Sequence, residues 1–356
     1  MGTRGPEGGA PAYSVVWDAR TSPTPARGLR FTAAHEFFHA VHFAYYLSLD
    51  AAWWYELTAT WIQGEVFTDV NDHYTLVNAY LELPEAAIYE PPPISLRPYG
   101  AMLLAVHLAS VHVTDVIRST FEDLASRRPN PYTISDTEPG LPGGFAGVLP
   151  RYWIWNYLTG SRALSAGYYP EASAYQEVNA NSVNPIGSLT LGGIAQVQSL
   201  GATYVRIPTQ GRSGGLRFSF DLPSGPTWNL DVLLMKNGSV EVMRPSGTAI
   251  TVPDAGTYDE VAFVASVLSL EGLVYETLYS VSMSSSIASW SDLVGDVDQG
   301  GSVGFEDFIM FSESFGKPAG EHDIRCDLDA NGFVDFGDFL IFANHFGDQR
   351  SPSALS

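Results

Sequence analysis

Thr32-Ala33-Ala34-His35-Glu36-Phe37-Phe38-His39-Ala40-Val41-His42-Phe43-Ala44-Tyr45-Tyr46-Leu47-Ser48-Leu49 is an apolar run carrying three histidines and one acid. It predicts a long helix over 32–49, with Thr32 suited to cap its start. Inside it stands the pattern H-E-x-x-H. Residues four apart share one face of a helix, so His35 and His39 can grip one ion with their imidazoles. Glu36 lies about 100° around from His35, close enough to face a water held by that ion. Zinc is the ion that suits this donor set. It lowers the pKa of its water to roughly 7, and a neighbouring carboxylate can then take the proton.

A catalytic zinc needs a third protein ligand and an open position. Glu56, in Trp53-Trp54-Tyr55-Glu56, is the best placed. It falls on a second helix expected over 51–66, and a turn near Ser48–Asp50 would bring that helix back antiparallel. Asp50 and Glu65 are the alternatives, one in the turn itself and the other about two turns too far along. His42 falls near the face of His35 but about 10 Å further along the axis. Three histidines on one straight helix cannot all reach an ion at about 2 Å, so His42 reads as a packed or solvated side chain. The longer pattern H-E-x-x-H-x-x-G-x-x-H is absent, because His42 and Tyr45 stand where it needs Gly and His.

Composition sets the surroundings. A chain of 356 residues with net charge −21 has room for two or three domains. That charge argues against nucleic acid, because little could neutralise phosphates. The acid is uneven: 13 carboxylates face two Lys/Arg between Asp292 and Asp348, which suggests a separate tail module. The single cysteine, Cys326, excludes an intrachain disulfide. No apolar run reaches the roughly 20 residues of a membrane helix. The first residues, Met1 to Gly9, lack an apolar segment and do not read as a signal peptide, so either the protein is cytosolic or the chain lacks its true N-terminus.

Beyond the two helices, a strand is expected over 12–17 and further helices over 99–108 and 114–126. The Pro/Gly/Ser/Thr-rich stretch 128–147 reads as a loop, and Tyr152–Leu158 as packed structure. This first region, 1–185, is expected to be a mainly α zinc-peptidase domain of α+β type, incomplete at its N-terminus. From 186 to 288 short β-branched runs alternate with turns such as Pro223-Ser224-Gly225 and Asn237-Gly238. Examples are Thr203–Ile207, Leu216–Phe220, Leu230–Leu234, Val261–Ala265 and Tyr275–Val281. Evenly spaced short strands read as an all-β sandwich.

The segment 292–349 repeats at a spacing of about 31 residues. Asp327-Leu328-Asp329-Ala330-Asn331-Gly332-Phe333-Val334-Asp335-Phe336-Gly337-Asp338 has the form of a calcium loop. Oxygen ligands are expected from Asp327, Asp329, Asn331, Asp335 and Asp338 and from the backbone at Phe333, with Gly332 at the sharp turn. The partner loop runs from Asp296 to Asp307 and keeps Asp296, Asp298, Gly301 and Asp307, with Ser302 at the backbone position. Gly300 and Gly304 replace two donors, so this loop should bind more weakly. One or two structural calcium ions are therefore expected.

Three resemblances add to this. His35-Glu36-Phe37-Phe38-His39-Ala40 followed by Trp53-Trp54-Tyr55-Glu56-Leu57-Thr58-Ala59-Thr60-Trp61 resembles the H-E-F-F-H-A…W-x-E-x-x-A-x-W signature of secreted bacterial metallopeptidases of the gluzincin branch, of which thermolysin is a member. The likeness runs through Asn71–Tyr74, Tyr99-Gly100 and Tyr157–Gly160, about half of the chain. Leu57 and His42 stand where that family often has Gly and Gln. The resemblance implies one catalytic zinc on His35, His39 and Glu56, Glu36 as base, and a polypeptide substrate. It also implies an oxyanion donor, for which Tyr99, His107 and His73 are candidates and Tyr99 the first choice. The sandwich resembles the jelly-roll domains that follow such catalytic domains. The duplicated loop-helix unit resembles a dockerin, which implies a cohesin-like partner. Phe305-Glu306 and Phe336-Gly337 are unusual at its partner-reading positions. Calcium sites of this kind suit the outside of the cell, so a secreted or surface-attached bacterial protein is expected. The rival reading is a non-catalytic, calcium-dependent adhesion or scaffold component with a degenerate peptidase domain.

Overall fold

The computed structural model describes residues 25–89, 96–112, 115–183, 191–209, 215–244, 247–252, 255–270, 274–284, 294–298, 302–317, 326–328 and 333–349. The strand expected over 12–17 lies outside them.

Helix α1 (Pro25–Tyr45) begins well before Thr32, which sits exposed inside it rather than capping it. Proline fits a first helical position because its fixed φ suits the helix and its missing N–H costs no bond there. The helix stops at Tyr45 rather than Leu49. The Tyr55 hydroxyl closes the turn that follows, donating to Tyr46 O (2.8 Å) and accepting from Ser48 N (3.2 Å). A 3₁₀ turn (Leu49–Ala51) then leads into α2 (Ala52–Val66). The two helices are antiparallel: Tyr55 bonds at Tyr46, while further along Gln63 Nε2 donates to Phe31 O. Trp53, Trp54, Tyr55, Leu57, Ala59 and Trp61 are all buried, so α2 is apolar nearly all round and runs through the centre of the helical region.

Helix α3 (Tyr74–Leu81) was not anticipated; it is only eight residues long. The helix expected over 99–108 is two, α4 (Arg97–Gly100) and α5 (Met102–His112). Gly100 lets α4 press onto α3, because a Cβ there would lie 2.3 Å from Leu76 O and 2.5 Å from Tyr80 Cβ. Helix α6 (Asp115–Arg127) buries Ile117, Thr120, Phe121 and Leu124 along one face. The stretch read as loop over 128–147 holds two 3₁₀ turns, and α7 (Gly144–Tyr157) starts before it ends.

The strands form two sheets. One has the order β1 (Asn181–Ser182), β3 (Ala202–Pro208), β8 (Glu260–Val267), β5 (Trp228–Lys236), β6 (Ser239–Met243). The other runs β2 (Leu191–Gln198), β9 (Val274–Ser284), β4 (Gly215–Asp221), β7 (Ala249–Val252). All pairings are antiparallel except β1 with β3, which brings Asn181 opposite Val205 in parallel. The sheet thus reaches back across the boundary expected at 185/186. Between the sheets lies a core in which the Phe218 and Phe263 rings stack with centroids 3.6 Å apart.

The helical and β regions are not independent. Strand β8 is buried along its whole length. Its alternation sends Val261, Phe263 and Ala265 into the sandwich and Ala262 and Val264 into the core of the helical region. Tyr204 on β3 stacks on Tyr157 of α7 and donates to Trp153 O (2.8 Å). Tyr157 donates in turn to Glu260 on β8. A double-faced sheet of this kind reads as continuously apolar strand.

The C-terminal module packs α8 (Phe305–Ser314) on α9 (Phe336–His345) through Phe311 and Phe342 (5.2 Å, stacked), with Val297, Val303, Val334 and Cys326 completing the core. Each loop pairs with the segment after the other helix. Val303 N donates to Asp348 O and Val303 O accepts from Gly347 N, while Gly316 N donates to Val334 O and Val334 N to Lys317 O. Arg217 of β4 pairs with buried Asp327, which ties the module to the sandwich.

Candidate metal centre

The antiparallel return of α2 puts Glu56 opposite the histidines of α1. Its Oε2 lies 2.9 Å from His35 Nε2 and 3.4 Å from His39 Nε2. Ligand atoms of these three residues all fall within 4.8 Å of one another. Bonds of about 2.0–2.2 Å in a tetrahedron put ligand atoms about 3.3 Å apart, so the spacing suits a small ion at their centre. Two imidazoles and a carboxylate are the donors zinc takes at hydrolytic sites, leaving one position open. The residues therefore fit zinc. Burial alone would raise the Glu56 pKa, but hydrogen bonds and charge from His35 and His39 outweigh it and lower the pKa to about 2. Glu56 is ready as an anionic ligand at neutral pH.

Tyr99 stands beside this triad. Its ring stacks on that of His35 with centroids 5.8 Å apart and an interplanar angle of 17°. Burial is the main reason its hydroxyl pKa is raised. The charge of Glu56 and a hydrogen bond to it add to this, and so does the charge of Glu36. The phenol is thus a neutral donor at physiological pH, close to both acids. Glu36 itself is half-buried at the same end of α1.

The other candidates are elsewhere. His107 is buried between Tyr152 and Trp155, and its pKa is lowered to about 3, first by desolvation and then by the charge of Arg151. His73 is buried against Phe31 and reaches Glu171 (3.2 Å), which also accepts from Tyr74 (3.0 Å) and Tyr175 (3.0 Å). Asp50 lies in the 3₁₀ turn, and Glu65 accepts from Trp61 Nε1 (3.0 Å).

His42 sits outside the triad, 1% exposed, in an aromatic cluster with Tyr55 (5.0 Å) and Phe121 (4.7 Å), whose rings also stack on each other. Its Nδ1 is 3.3 Å from His39 Nδ1 and its Nε2 is 2.9 Å from Thr58 Oγ1. Desolvation chiefly, and then the neighbouring His39 and His35, hold its pKa well below the usual imidazole value, so it is neutral. Thr58 was missed in the sequence. Its only signal is a hydroxyl two residues past Glu56, one of two threonines in a mostly apolar helix.

In the first acidic loop, ligand atoms of Asp296, Asp298 and Asp307 also lie within 4.8 Å of one another. Asp307 accepts from Asp298 N (2.8 Å) and Gly304 N (2.7 Å), which folds the loop around it. Ser302 is exposed and bridges to Gln349. In the second loop Asp338 plays the part of Asp307, accepting from Leu328 N (2.5 Å) and Asp335 N (2.9 Å). Asp335 caps α9 by accepting from Gly337 N (2.7 Å). Asp327 is buried, and Phe333 presents an exposed side chain. Asp329, Asn331 and Gly332 lie outside the described residues.

No family model and no curated protein matches the chain. Among solved structures it is similar to the periplasmic lysozyme inhibitor PliG of Aeromonas hydrophila, at 9% identity over 29% of this chain and 96% of that one, with a TM-score of 0.23. It is also similar to PliG of Salmonella Typhimurium, at 11% identity over 29% of this chain and 99% of that one, with a TM-score of 0.21. Likenesses at this level carry no argument about fold or function.

Proposed function

We propose that the chain is a secreted bacterial zinc peptidase of gluzincin type, in which a jelly-roll sandwich links the catalytic helices to a calcium-binding, dockerin-like module. The observation that carries this is the convergence of His35 Nε2, His39 Nε2 and Glu56 Oε2 from two antiparallel helices, with Glu36 and Tyr99 beside them. Zinc bound there supplies Lewis acidity and an acidified water. The carboxylate of Glu36 accepts the proton of the attacking water and later hands it to the leaving amine. The neutral Tyr99 hydroxyl donates to the oxygen that gains charge as the peptide carbonyl is attacked. His35 and His39 orient the site, held by the α1–α2 packing.

The sheet orders β2-β9-β4-β7 and β3-β8-β5-β6 support the jelly-roll reading, because two packed Greek keys give such orders. The carboxylates of Asp296, Asp298 and Asp307 support calcium in the first loop. Phe305 and Phe336 stand at the tenth position of the two loops and are 64% and 63% exposed, apolar side chains that a protein partner could cover, though unusual at the positions that would read a cohesin-like one.

Metal analysis and casein hydrolysis on wild type and Glu36→Gln test the activity. Wild type should carry one zinc per chain. The variant should keep that zinc and lose about 10²–10⁴-fold in rate. Wild type without stoichiometric zinc, or no faster than the variant, would end the peptidase reading.

A further inference from the structure

The contacts of His42 form a directed chain rather than packing alone. Thr58 Oγ1 lies 2.7 Å from Trp54 O, the carbonyl four residues back on its own helix. A hydroxyl has one proton, and a carbonyl can only accept. With that proton on Trp54 O, Thr58 Oγ1 meets His42 Nε2 at 2.9 Å as an acceptor, so His42 carries its proton on Nε2. The Nδ1 of His42 is then a bare lone pair. It faces His39 Nδ1 at 3.3 Å, and that nitrogen must be the donor. A His39 that keeps its proton on Nδ1 presents Nε2, the atom beside Glu56 Oε2, as a lone pair. This is the tautomer a metal at the triad requires. The rings of Tyr55 and Phe121 both stack on His42, and on each other, so the imidazole is packed within an aromatic cluster.

We infer that His42 and Thr58 are positioning residues, a relay running from Trp54 O through Thr58 and His42 that holds His39 in the Nε2-binding tautomer. The inference rests on the zinc reading of the triad, and it concerns residues that do not touch the ion. A metal-bound histidine is commonly oriented by a carboxylate or carbonyl on its other nitrogen. Here a second histidine occupies that place and passes its own orientation back to a helix carbonyl. The arrangement explains a buried histidine in an aromatic stack, where a phenylalanine would pack as well and spare the desolvation of two ring nitrogens.

The test uses the full chain with three variants. His42→Phe keeps the ring and removes both bonds. Thr58→Val keeps the shape and removes the acceptor of His42 Nε2. His42→Gln keeps an acceptor toward His39 and a donor toward Thr58. Zinc affinity, measured by chelator competition, should fall about 10–100-fold in His42→Phe and about 10-fold or more in Thr58→Val. His42→Gln should stay within about threefold of wild type, which a purely structural role for the ring would not produce. Nitrogen-15 NMR gives a second readout: His42 should be the Nε2–H tautomer in wild type. A coupling across the His39–His42 hydrogen bond should appear with the proton on His39. If His42→Phe does not fold, Thr58→Val and the NMR carry the test. His42 found with its proton on Nδ1, or zinc affinity unchanged in Thr58→Val and His42→Phe, would overturn the relay. A wild type that binds no zinc would end the metal reading, while the tautomer of His42 would still decide the relay.

Discussion

Glu56 and His35 meet at 2.9 Å although 21 residues of chain separate them. The contact arises because α2 doubles back on α1 through a turn that Tyr55, the residue before Glu56, closes with its hydroxyl. One helical turn thus both sets the return and delivers the carboxylate.

Glu56→Gln keeps the volume and removes the charge. An amide oxygen is a poor zinc donor beside a carboxylate. Zinc affinity should fall by more than about 100-fold, past the range seen for residues that only orient ligands. A chelator titration reads this directly, and an unchanged affinity would take Glu56 out of the ligand set.

Tyr99→Phe keeps the ring stacked on His35 and removes the hydroxyl. Zinc content and KM should hold while kcat falls about 10²–10³-fold. A variant with full kcat would assign the oxyanion to another donor.

His107 makes the fold sensitive to acid. Its folded pKa of about 3 lies below the ordinary 6.5, so between those values the unfolded chain binds a proton that the folded one refuses. Its contribution is complete above pH 6.5 and is lost as pH falls toward 3, at up to about 1.4 kcal/mol per pH unit. Urea unfolding of His107→Leu should lose less stability than wild type between pH 7 and 5. Equal losses would mean that other groups govern this range.

Calcium should protect the C-terminal module. Saturation at about 100 times Kd adds about 2.7 kcal/mol, so hydrogen exchange in α8 and α9 should slow with calcium and speed with a chelator. The effect should vanish when Asp307 and Asp338 are both changed to Ala. Exchange that ignores calcium in wild type would remove the ion from these loops.

Much of the site is legible in the chain because its rules are local. The four-residue spacing of His35 and His39 and the twelve-residue spacing within the acidic loops each put donors on one face or around one turn. The strands at 203–207, 216–220, 230–234 and 261–265 follow from β-branched runs between turns. Helix α3 was not legible, because eight residues give few turns of pattern. Thr32 does not cap α1, because the helix already runs from Pro25, where a first-turn proline gives up no hydrogen bond.

By itself, then, the sequence determined which residues can share a helix face, a strand or a loop, since bond geometry and period decide that within a few turns. Only the tertiary structure decided that Tyr99 and not His107 lies beside the triad, that β8 buries one face in each of two cores and so joins the two regions, and that His42 bonds His39 and Thr58. Each of these depends on which distant segment packs against a given face. That is set by the burial of whole surfaces, and no short stretch of chain encodes it.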